Sequence, residues 1–144
     1  MEDQSKKRHI QVVGAAILSP TREGLLVFER LDSGGFEFPG GKIEIGESPE
    51  QALAREIQEE LGVRGQVGER LGVSHGDFPK VKIDLTVYWF EVASYQFHLQ
   101  DHLSFKEIQS RHLGKFVEEK IVELDRGLLA KALEEIHSRK RSLS

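Results

Sequence analysis

The stretch GGKIEIGESPEQALAREIQEELGV, residues 40–63, carries six glutamates and two basic residues, so its charge of −4 equals the net charge of the whole 144-residue chain. Carboxylates crowded in this way repel one another unless they face water or share a positive partner. The chain has no cysteine, so any metal partner must be held by oxygen or imidazole ligands. Clustered carboxylates suit hard divalent cations such as Mg²⁺, which binds one or two carboxylates together with waters and substrate phosphates. The glutamates are Glu44, Glu47, Glu50, Glu56, Glu59 and Glu60.

A helix is predicted to position the second half of this stretch. Ser48 and Gln51 have the spacing of a capping box, and Pro49 stands at the first helical position. Gly62 suits the left-handed conformation that often follows the last helical turn. The helix is therefore expected to run from about residue 49 to Leu61.

Apolar and acidic residues lie side by side on this predicted helix. Leu53, Ile57 and Leu61 form a narrow stripe that can pack against a sheet. A solvated acidic face is the ordinary interpretation of neighbouring carboxylates, but here they border the apolar stripe, where water is partly excluded. The adjacent glycine turn lets the backbone come close and offers carbonyl oxygens as further ligands. The glutamates on this side, at about 100° per residue, are Glu56, Glu59 and Glu60.

The rest of the pattern predicts strands before and after the helix. Residues 10–18 and 25–30 read as a β-hairpin, a strand or two should follow the helix, and residues 82–92 alternate as a clear strand. A short helix is predicted at about 108–114. A closing helix places its apolar residues on one face, which suggests a mixed sheet flanked by helices. Those apolar residues are Leu128, Leu129, Ala132, Leu133 and Ile136.

Composition and charge narrow the class of protein. Hydrophobic residues make up 38% and charged residues 31% of the chain, as in one ordinary globular domain. We predict a domain over 10–137, with a polar tail at 1–9 and a basic tail at 138–144. No apolar run approaches the roughly 20 residues that cross a bilayer, so a cytoplasmic location without membrane association is expected. Outside the acidic stretch the charges balance, which disfavours a strong polyanion binder.

The segment from Gly41 to Val63 resembles the Nudix box at every specified position. It reads G, five residues, E, seven residues, then REIQEELGV. The hairpin before it, the FEFPGG entry and the closing helix are also similar to the MutT-like branch of that family. The resemblance implies an α/β fold, the Nudix α/β/α sandwich with a mixed central sheet and the Nudix loop-helix-loop. It also implies a hydrolase that uses Mg²⁺, with Mn²⁺ as an alternative ion.

The resemblance assigns roles within and beside the box. Glu56, Glu59 and Glu60 match its metal-binding glutamates, and the Gly40 carbonyl matches a backbone metal ligand. The family's bracing salt bridge corresponds to two further residues, and cations on the substrate phosphates correspond to two more. These are Glu47 and Arg55 for the brace, and Lys42 and Arg30 for the phosphates.

A further acid is implied downstream of the box. Aligning DHLSFKEI, residues 101–108, with the family's acid-histidine run puts Asp101 where an acid completes the metal site or acts as a base. The family run ends in tryptophan, whereas this chain has Glu107. His102 is interpreted as a structural loop histidine.

Four residues match positions that line the purine site of MutT-like proteins. Glu37, Phe38 and Phe78 match the pocket walls, and Asp125 falls where an asparagine reads the base edge. An aspartate there can accept a hydrogen bond or, when protonated, donate one, which leaves the choice of base open. The alternatives are that Phe38 and Phe78 are core aromatics and that Asp125 caps the last helix.

The resemblance implies cleavage of a nucleoside diphosphate linked to another group. Our leading hypothesis is hydrolysis of a nucleoside triphosphate, including oxidised ones such as 8-oxo-dGTP, to the monophosphate and pyrophosphate in a housecleaning role. Dinucleoside polyphosphates, ADP-ribose or nucleotide sugars and RNA 5′ ends are alternative substrates, the last being the one nucleic-acid partner considered. A nucleotide sensor of the same fold without catalysis is a different class of function. Monomer and homodimer both remain open.

Overall fold

The structure is a computed structural model and describes residues 7–32, 34–109 and 121–142, with side chains described as far as residue 139. The predicted hairpin is present, because the first two strands pair antiparallel with Ile17 opposite Leu26. The strands are β1 (Arg8–Leu18), β2 (Gly24–Arg30), β3 (Phe36–Glu37), β4 (Gly40–Lys42), β5 (Gly65–Asp77), β6 (Val81–Val92) and β7 (His102–Gln109). The helices are α1 (Pro49–Leu61) and α2 (Glu123–Ser142).

The seven described strands form one mixed sheet, as the sequence predicted. Its main order is β3-β2-β1-β6-β5, with β4 added to β1 and β7 added to β2. Strands β1 and β6 run parallel over ten paired residues, and the other pairings are antiparallel. The long parallel pair places β1 at the centre of the sheet. The two short strands that lead into the acidic stretch lie close by, with β3 paired to β2 and β4 paired to β1.

Strand β1 changes partner along its length. It pairs with β4 over residues 12–14 and with β2 only at residues 17–18. Between these pairings the Ala15 amide donates to the Pro39 carbonyl at 2.9 Å. A β-carbon on Gly14 would lie 3.2 Å from the Phe38 β-carbon. The absence of a side chain at Gly14 therefore lets residues 38–40, here called the crossing segment, pass close to β1. This crossing leads directly into Gly40 and the helix.

Helix α1 has the predicted ends. The Ser48 side chain accepts from the Gln51 amide at 3.1 Å, and the Gln51 side chain accepts from the Ser48 amide at 2.9 Å. Pro49 is in the first turn, and Gly62 has φ of 69° and donates to the Gln58 carbonyl. The local caps therefore define where the acidic helix begins and ends.

Each face of the sheet is covered by one helix, which produces an α/β/α sandwich. The α1 face buries the predicted stripe of Leu53, Ile57 and Leu61 against Val13, Ala15, Ile17 and Phe28. The α2 face buries the apolar face predicted for the closing helix, namely Leu128, Leu129, Ala132, Leu133 and Ile136. Burial of such side chains is worth about 1.5–3 kcal/mol each, so both helices are held mainly by packing.

Three boundaries differ from the sequence predictions. The helix predicted at about 108–114 is wrong at its start, because Ile108 and Gln109 belong to β7, where Ile108 pairs with Leu25; residues 110–114 lie outside the described part. Residues 8 and 9, predicted as tail, belong to β1 because they pair with β6. Residues 138–142, predicted as part of the basic tail, likewise belong to helix α2, which extends to Ser142.

No helix within the described residues is long and apolar enough to cross a membrane.

The end of α1 yields a first prediction. Replacing Gly62 with alanine should lower the free energy of unfolding by about 1–2 kcal/mol, because alanine is strained at positive φ and its β-carbon would lie 3.1 Å from that of His98. Gly127→Ala is the matched control: Gly127 lies exposed in α2 with no described atom near its missing β-carbon. That variant should gain about 0.5–1 kcal/mol. Chemical denaturation measures both, and equal effects of the two substitutions would contradict this account.

Candidate active site

Glu60, in the last turn of α1, points its carboxylate at the crossing segment. Its Oε2 accepts from the Gly40 amide at 3.1 Å. Burial raises the pKa of Glu60 to about 7, and the hydrogen bond from Gly40 and the nearby His102 offset that effect only in part. A buried carboxylate with one amide donor lacks a full counter-charge.

Glu56 lies one turn earlier and covers the next glycine. A β-carbon on Gly41 would overlap the Glu56 carboxylate, so a side chain at residue 41 would force that carboxylate to move. The Glu56 side chain is only 15% exposed. Burial raises its pKa, against the lowering effect of Arg55. Glu56 and Glu60 therefore press two poorly solvated carboxylates against the backbone of residues 40–41.

Arg55 supplies the local positive charge. Its guanidinium donates two hydrogen bonds to Glu47, at 2.7 and 2.9 Å. These hydrogen bonds lower the pKa of Glu47. Nη1 also donates to Glu56 at 3.0 Å and to Glu59 at 3.2 Å, and Nη2 donates to the Lys42 carbonyl at 3.0 Å. The sequence predicted the pair with Glu47 but not the contacts with Glu56 and Glu59.

The oxygen donors at this site suit a hard divalent cation, but Glu59 does not point at the same place as Glu56 and Glu60. Glu56 and Glu60 offer desolvated carboxylate oxygens beside a glycine backbone, as Mg²⁺ and Ca²⁺ sites require. Glu59 is 60% exposed and turned toward Arg55. Within the described residues, no three carboxylate or imidazole groups converge on one point. A cation bound by all three glutamates thus requires Glu59 to leave Arg55.

The chain from residue 98 to Asp101 runs past the end of α1. The His98 amide donates to the Leu61 carbonyl at 2.8 Å, and the Gln100 amide donates to the Glu60 carbonyl at 3.0 Å. Asp101 follows in an exposed bend. Its backbone is therefore near Glu60, while its side chain faces solvent.

Asp125 connects α2 to the same crossing segment. It lies in the first turn of α2, is buried, and its Oδ2 accepts from the Phe38 amide at 2.9 Å. The Asp125 carboxylate thus binds another element rather than the amides of its own helix. Burial raises the pKa of Asp125 to about 7. Phe38 itself is buried in the core on the α2 face, whereas Phe78 is 42% exposed.

Arg30 and Glu37 form the neighbouring polar group. Arg30 binds Asp32 through two hydrogen bonds, at 2.9 and 2.7 Å, and lies 3.8 Å from Glu37. Glu37 also contacts His102, with 3.0 Å between Oε2 and Nε2. Lys42, predicted with Arg30 as a phosphate contact, is exposed on β4. The structure thus places Arg30 with the predicted base-pocket residues, and this link through His102 was not anticipated from the sequence.

Comparison with known proteins agrees with this arrangement. The family model described as the NUDIX domain matches residues 8–136. The chain belongs to the Nudix family. An 8-oxo-dGTP diphosphatase of Proteus vulgaris is 41% identical over 87 residues, which cover 58% of this chain and 75% of the relative. A CTP pyrophosphohydrolase of Escherichia coli is 43% identical over 65 residues, 42% of this chain and 46% of the relative.

The fold is shared with solved structures as well. The solution structure of the E. coli ORF135 protein matches with a TM-score of 0.75 and 26% identity, covering 96% of this chain and 98% of that one. Several sequence relatives are matched over only 40–46% of their own length. By these matches the chain lies with the MutT-like members of the Nudix family, and Nudix hydrolases generally use a divalent metal ion.

A cavity of about 200 Å³ lies elsewhere in the Nudix domain. It is lined by residues at the far ends of β1 and β6, among them Leu18, Trp89 and Phe90, together with Arg139 of α2. Leu18 is four residues along β1 from Gly14, which pairs with Gly40, roughly 13 Å at strand spacing. The cavity is therefore separate from the acidic cluster.

The buried Asp125 yields a pH-dependent prediction. An acid whose pKa is raised from 3.8 to about 7 on folding binds its proton more tightly in the native state, so stability falls as pH rises through that interval. Asp125→Asn should therefore raise the free energy of unfolding by on the order of 2 kcal/mol more at pH 8 than at pH 5. Urea denaturation at the two pH values measures this difference.

Asp84→Asn is the control of opposite sign. Hydrogen bonds with His75 and His9 lower the pKa of Asp84, so the ionised form is favoured by folding. The same substitution there should lower stability near pH 6. An Asp125→Asn effect that is equal at pH 5 and pH 8 would contradict the burial of an ionisable carboxyl at this position.

Proposed function

We propose that this protein is a Mg²⁺-dependent nucleotide pyrophosphohydrolase that cleaves a nucleoside triphosphate to the monophosphate and pyrophosphate. The observation that carries the proposal is the pair of desolvated carboxylates, Glu56 and Glu60, against the Gly40–Gly41 backbone. Two acids in this position need a positive partner, and Arg55 reaches only one of them. A divalent cation, bound between these carboxylates and the phosphates of the substrate, supplies the missing positive charge.

The residues that would hold the cation are the three box glutamates and the Gly40 carbonyl. Bound there, the ion would neutralise phosphate charge and make a water more acidic. Glu59 contributes once it exchanges Arg55 for the ion, since both the ion and Arg55 compete for its carboxylate. Arg55 keeps Glu47 as a partner throughout, and this pair holds the loop before α1 in place.

Proton transfer is assigned to Glu56, with Asp101 as the second candidate base. Arg55 occupies Oε1 of Glu56, so Oε2 is the oxygen that can take a proton from the attacking water. A carboxylate whose pKa is raised by burial is a better base than one in water. Lys42, exposed at the end of β4, is assigned to stabilise charge that develops on the transferred phosphoryl group, and Arg30 is assigned the same role from the pocket side.

The nucleobase is assigned to the pocket side of the crossing segment. Asp125, Glu37 and Phe78 are the groups proposed to contact it, with Phe38 supporting them from the core. The raised pKa of Asp125 suits a carboxyl that donates a hydrogen bond to a base while its other oxygen accepts from Phe38. Purine triphosphates, including 8-oxo-dGTP, are the substrates that this donor and acceptor pair favours in our proposal.

The substrate is tested with a panel. Phosphate and pyrophosphate release from dGTP, 8-oxo-dGTP, CTP, a diadenosine polyphosphate, ADP-ribose and a 5′-triphosphorylated RNA is measured with Mg²⁺ and again with EDTA. We expect metal-dependent production of nucleoside monophosphate and pyrophosphate from a triphosphate. Release only from ADP-ribose, the dinucleotide or RNA would replace the proposed substrate, and saturable binding without product would indicate a sensor.

The base is tested with Glu56→Gln, which removes the proton acceptor but keeps the size of the side chain. We expect kcat to fall on the order of 10²–10⁴-fold with a native circular-dichroism spectrum. Glu69→Gln is the matched control, because Glu69 is an exposed glutamate on β5 and its variant should keep wild-type kcat. Near-wild-type turnover of Glu56→Gln would remove Glu56 from the mechanism.

A further inference from the structure

His102 is the first residue of β7 and lies where three parts of the site meet. It pairs with Arg30 across a break in the β2–β7 register. Two residues earlier, the Gln100 amide binds the carbonyl at the end of α1, on Glu60. Its own side chain contacts Glu37 of β3 at 3.0 Å. One imidazole thus stands between the end of the acidic helix and the predicted base pocket.

His102 is buried against an aromatic ring and lies beside two acids. The side chain is 2% exposed, and its ring packs against Phe28 with 5.6 Å between centroids. Glu37 is the hydrogen-bonded acid, and Glu60 is close enough to be influenced electrostatically by the ring. Burying a histidine beside two carboxylates is unusual for a residue that only fills the core, since polar groups are costly to bury.

The hydrogen bonding of the ring is incomplete. Nε2 faces a carboxylate oxygen, so Nε2 carries the hydrogen and donates. Among the described residues, Nδ1 of His102 is the buried side-chain polar atom without a hydrogen-bond partner. Leaving such an atom unsatisfied costs about 1–3 kcal/mol. Structural histidines are ordinarily satisfied on both sides, so stability alone does not explain this placement.

We propose that His102 is a positioning residue for the hydrolysis proposed above: its Nε2–H orients Glu37, and its ring holds that carboxylate at a set separation from Glu60. The proposal rests on the proposed function. His102 would thereby link Glu37, in the wall of the base pocket, to Glu60, one of the groups that would hold the cation. The nucleotide and the metal would then be held at a fixed distance from each other. Groups outside the ligand set that orient the residues around a metal site typically contribute 10–100-fold in metal affinity or activity.

Two substitutions separate positioning from packing. His102→Phe keeps an aromatic ring against Phe28 but removes the donor to Glu37. His102→Gln loses the ring but places an amide N–H near the position of Nε2. His75→Gln is the matched control, because His75 is 73% exposed on β5 and its ring contacts Asp84, away from the acidic cluster.

Three measurements are made on each variant. They are the thermal unfolding temperature, the Mn²⁺ affinity from water proton relaxation without nucleotide, and the steady-state kinetics, which give kcat and KM separately. We expect His102→Phe to fold, to bind Mn²⁺ about 10-fold more weakly and to lose at least 10-fold in kcat with a smaller change in KM. His102→Gln should recover most of both losses. His75→Gln should match the wild type in all three.

Several results would overturn the proposal. One is a His102→Phe protein with Mn²⁺ affinity and kcat within twofold of the wild type, and another is a His102→Gln protein no better than His102→Phe. Should His102→Phe not fold, Glu37→Ala removes the partner of Nε2 without touching the buried ring. It should then weaken Mn²⁺ binding about 10-fold, and wild-type affinity would count against the proposal.

The experiment also separates this proposal from the proposed function. A wild-type protein that turns over no nucleotide refutes the hydrolase assignment, while the Mn²⁺ affinities still decide the role of His102. A wild-type enzyme with full activity and His102 variants that behave like it refute the positioning role alone.

Discussion

The close approach of the Gly40–Gly41 backbone to the carboxylates of α1 is the contact on which the site depends. A β-carbon on Gly41 would overlap and displace the Glu56 carboxylate, and one on Gly40 would overlap the Val13 carbonyl and push the two strands apart. Strand β4 holds this backbone on β1, and the packing of Leu53 and its neighbours holds the helix on the sheet. Packing in the sandwich therefore holds Glu56 and Glu60 against the Gly40–Gly41 backbone, although desolvation and mutual repulsion of the two carboxylates oppose this arrangement.

Charge is balanced within this contact by a single arginine. Arg55 reaches Glu47, Glu56 and Glu59 but not Glu60, and Glu60 is the acid whose pKa burial raises to about 7. The six glutamates consequently do different things. Glu44 is largely exposed, Glu47 is bound by Arg55, and Glu56 and Glu60 are desolvated at the backbone. Acids whose pKa values are raised by desolvation cluster at functional sites.

Membership in the Nudix family defines the reaction class more closely than the substrate. The acidic cluster lies on the α1 face and handles phosphates in our proposal, whereas the groups assigned to the base lie where β3 and α2 meet. Relatives that share the matched region differ in their named substrates, one being an 8-oxo-dGTP diphosphatase and another a CTP pyrophosphohydrolase. Specificity is therefore expected to depend on residues such as Asp125 and Glu37, outside the box.

The sequence by itself determined the elements whose signals are local. The capping box at Ser48, the glycine after α1, the alternation in β6 and the apolar face of α2 each depend on residues within a few positions of one another. The same helical periodicity placed Glu56, Glu59 and Glu60 on one side of the helix; in the structure Glu56 and Glu60 lie against the Gly40–Gly41 backbone, whereas Glu59 binds Arg55. These predictions agree with the structure because backbone hydrogen bonding and side-chain spacing in a single element are encoded within that element.

Only the tertiary structure decided which distant residues meet. Asp125 binds the Phe38 amide 87 residues away in sequence, and His102 binds Glu37 across 65 residues. Pairing with β2 likewise made Ile108 part of a strand where a helix was predicted. Such contacts depend on how the sheet orders its strands and where the helices pack, and no short stretch of sequence contains that information.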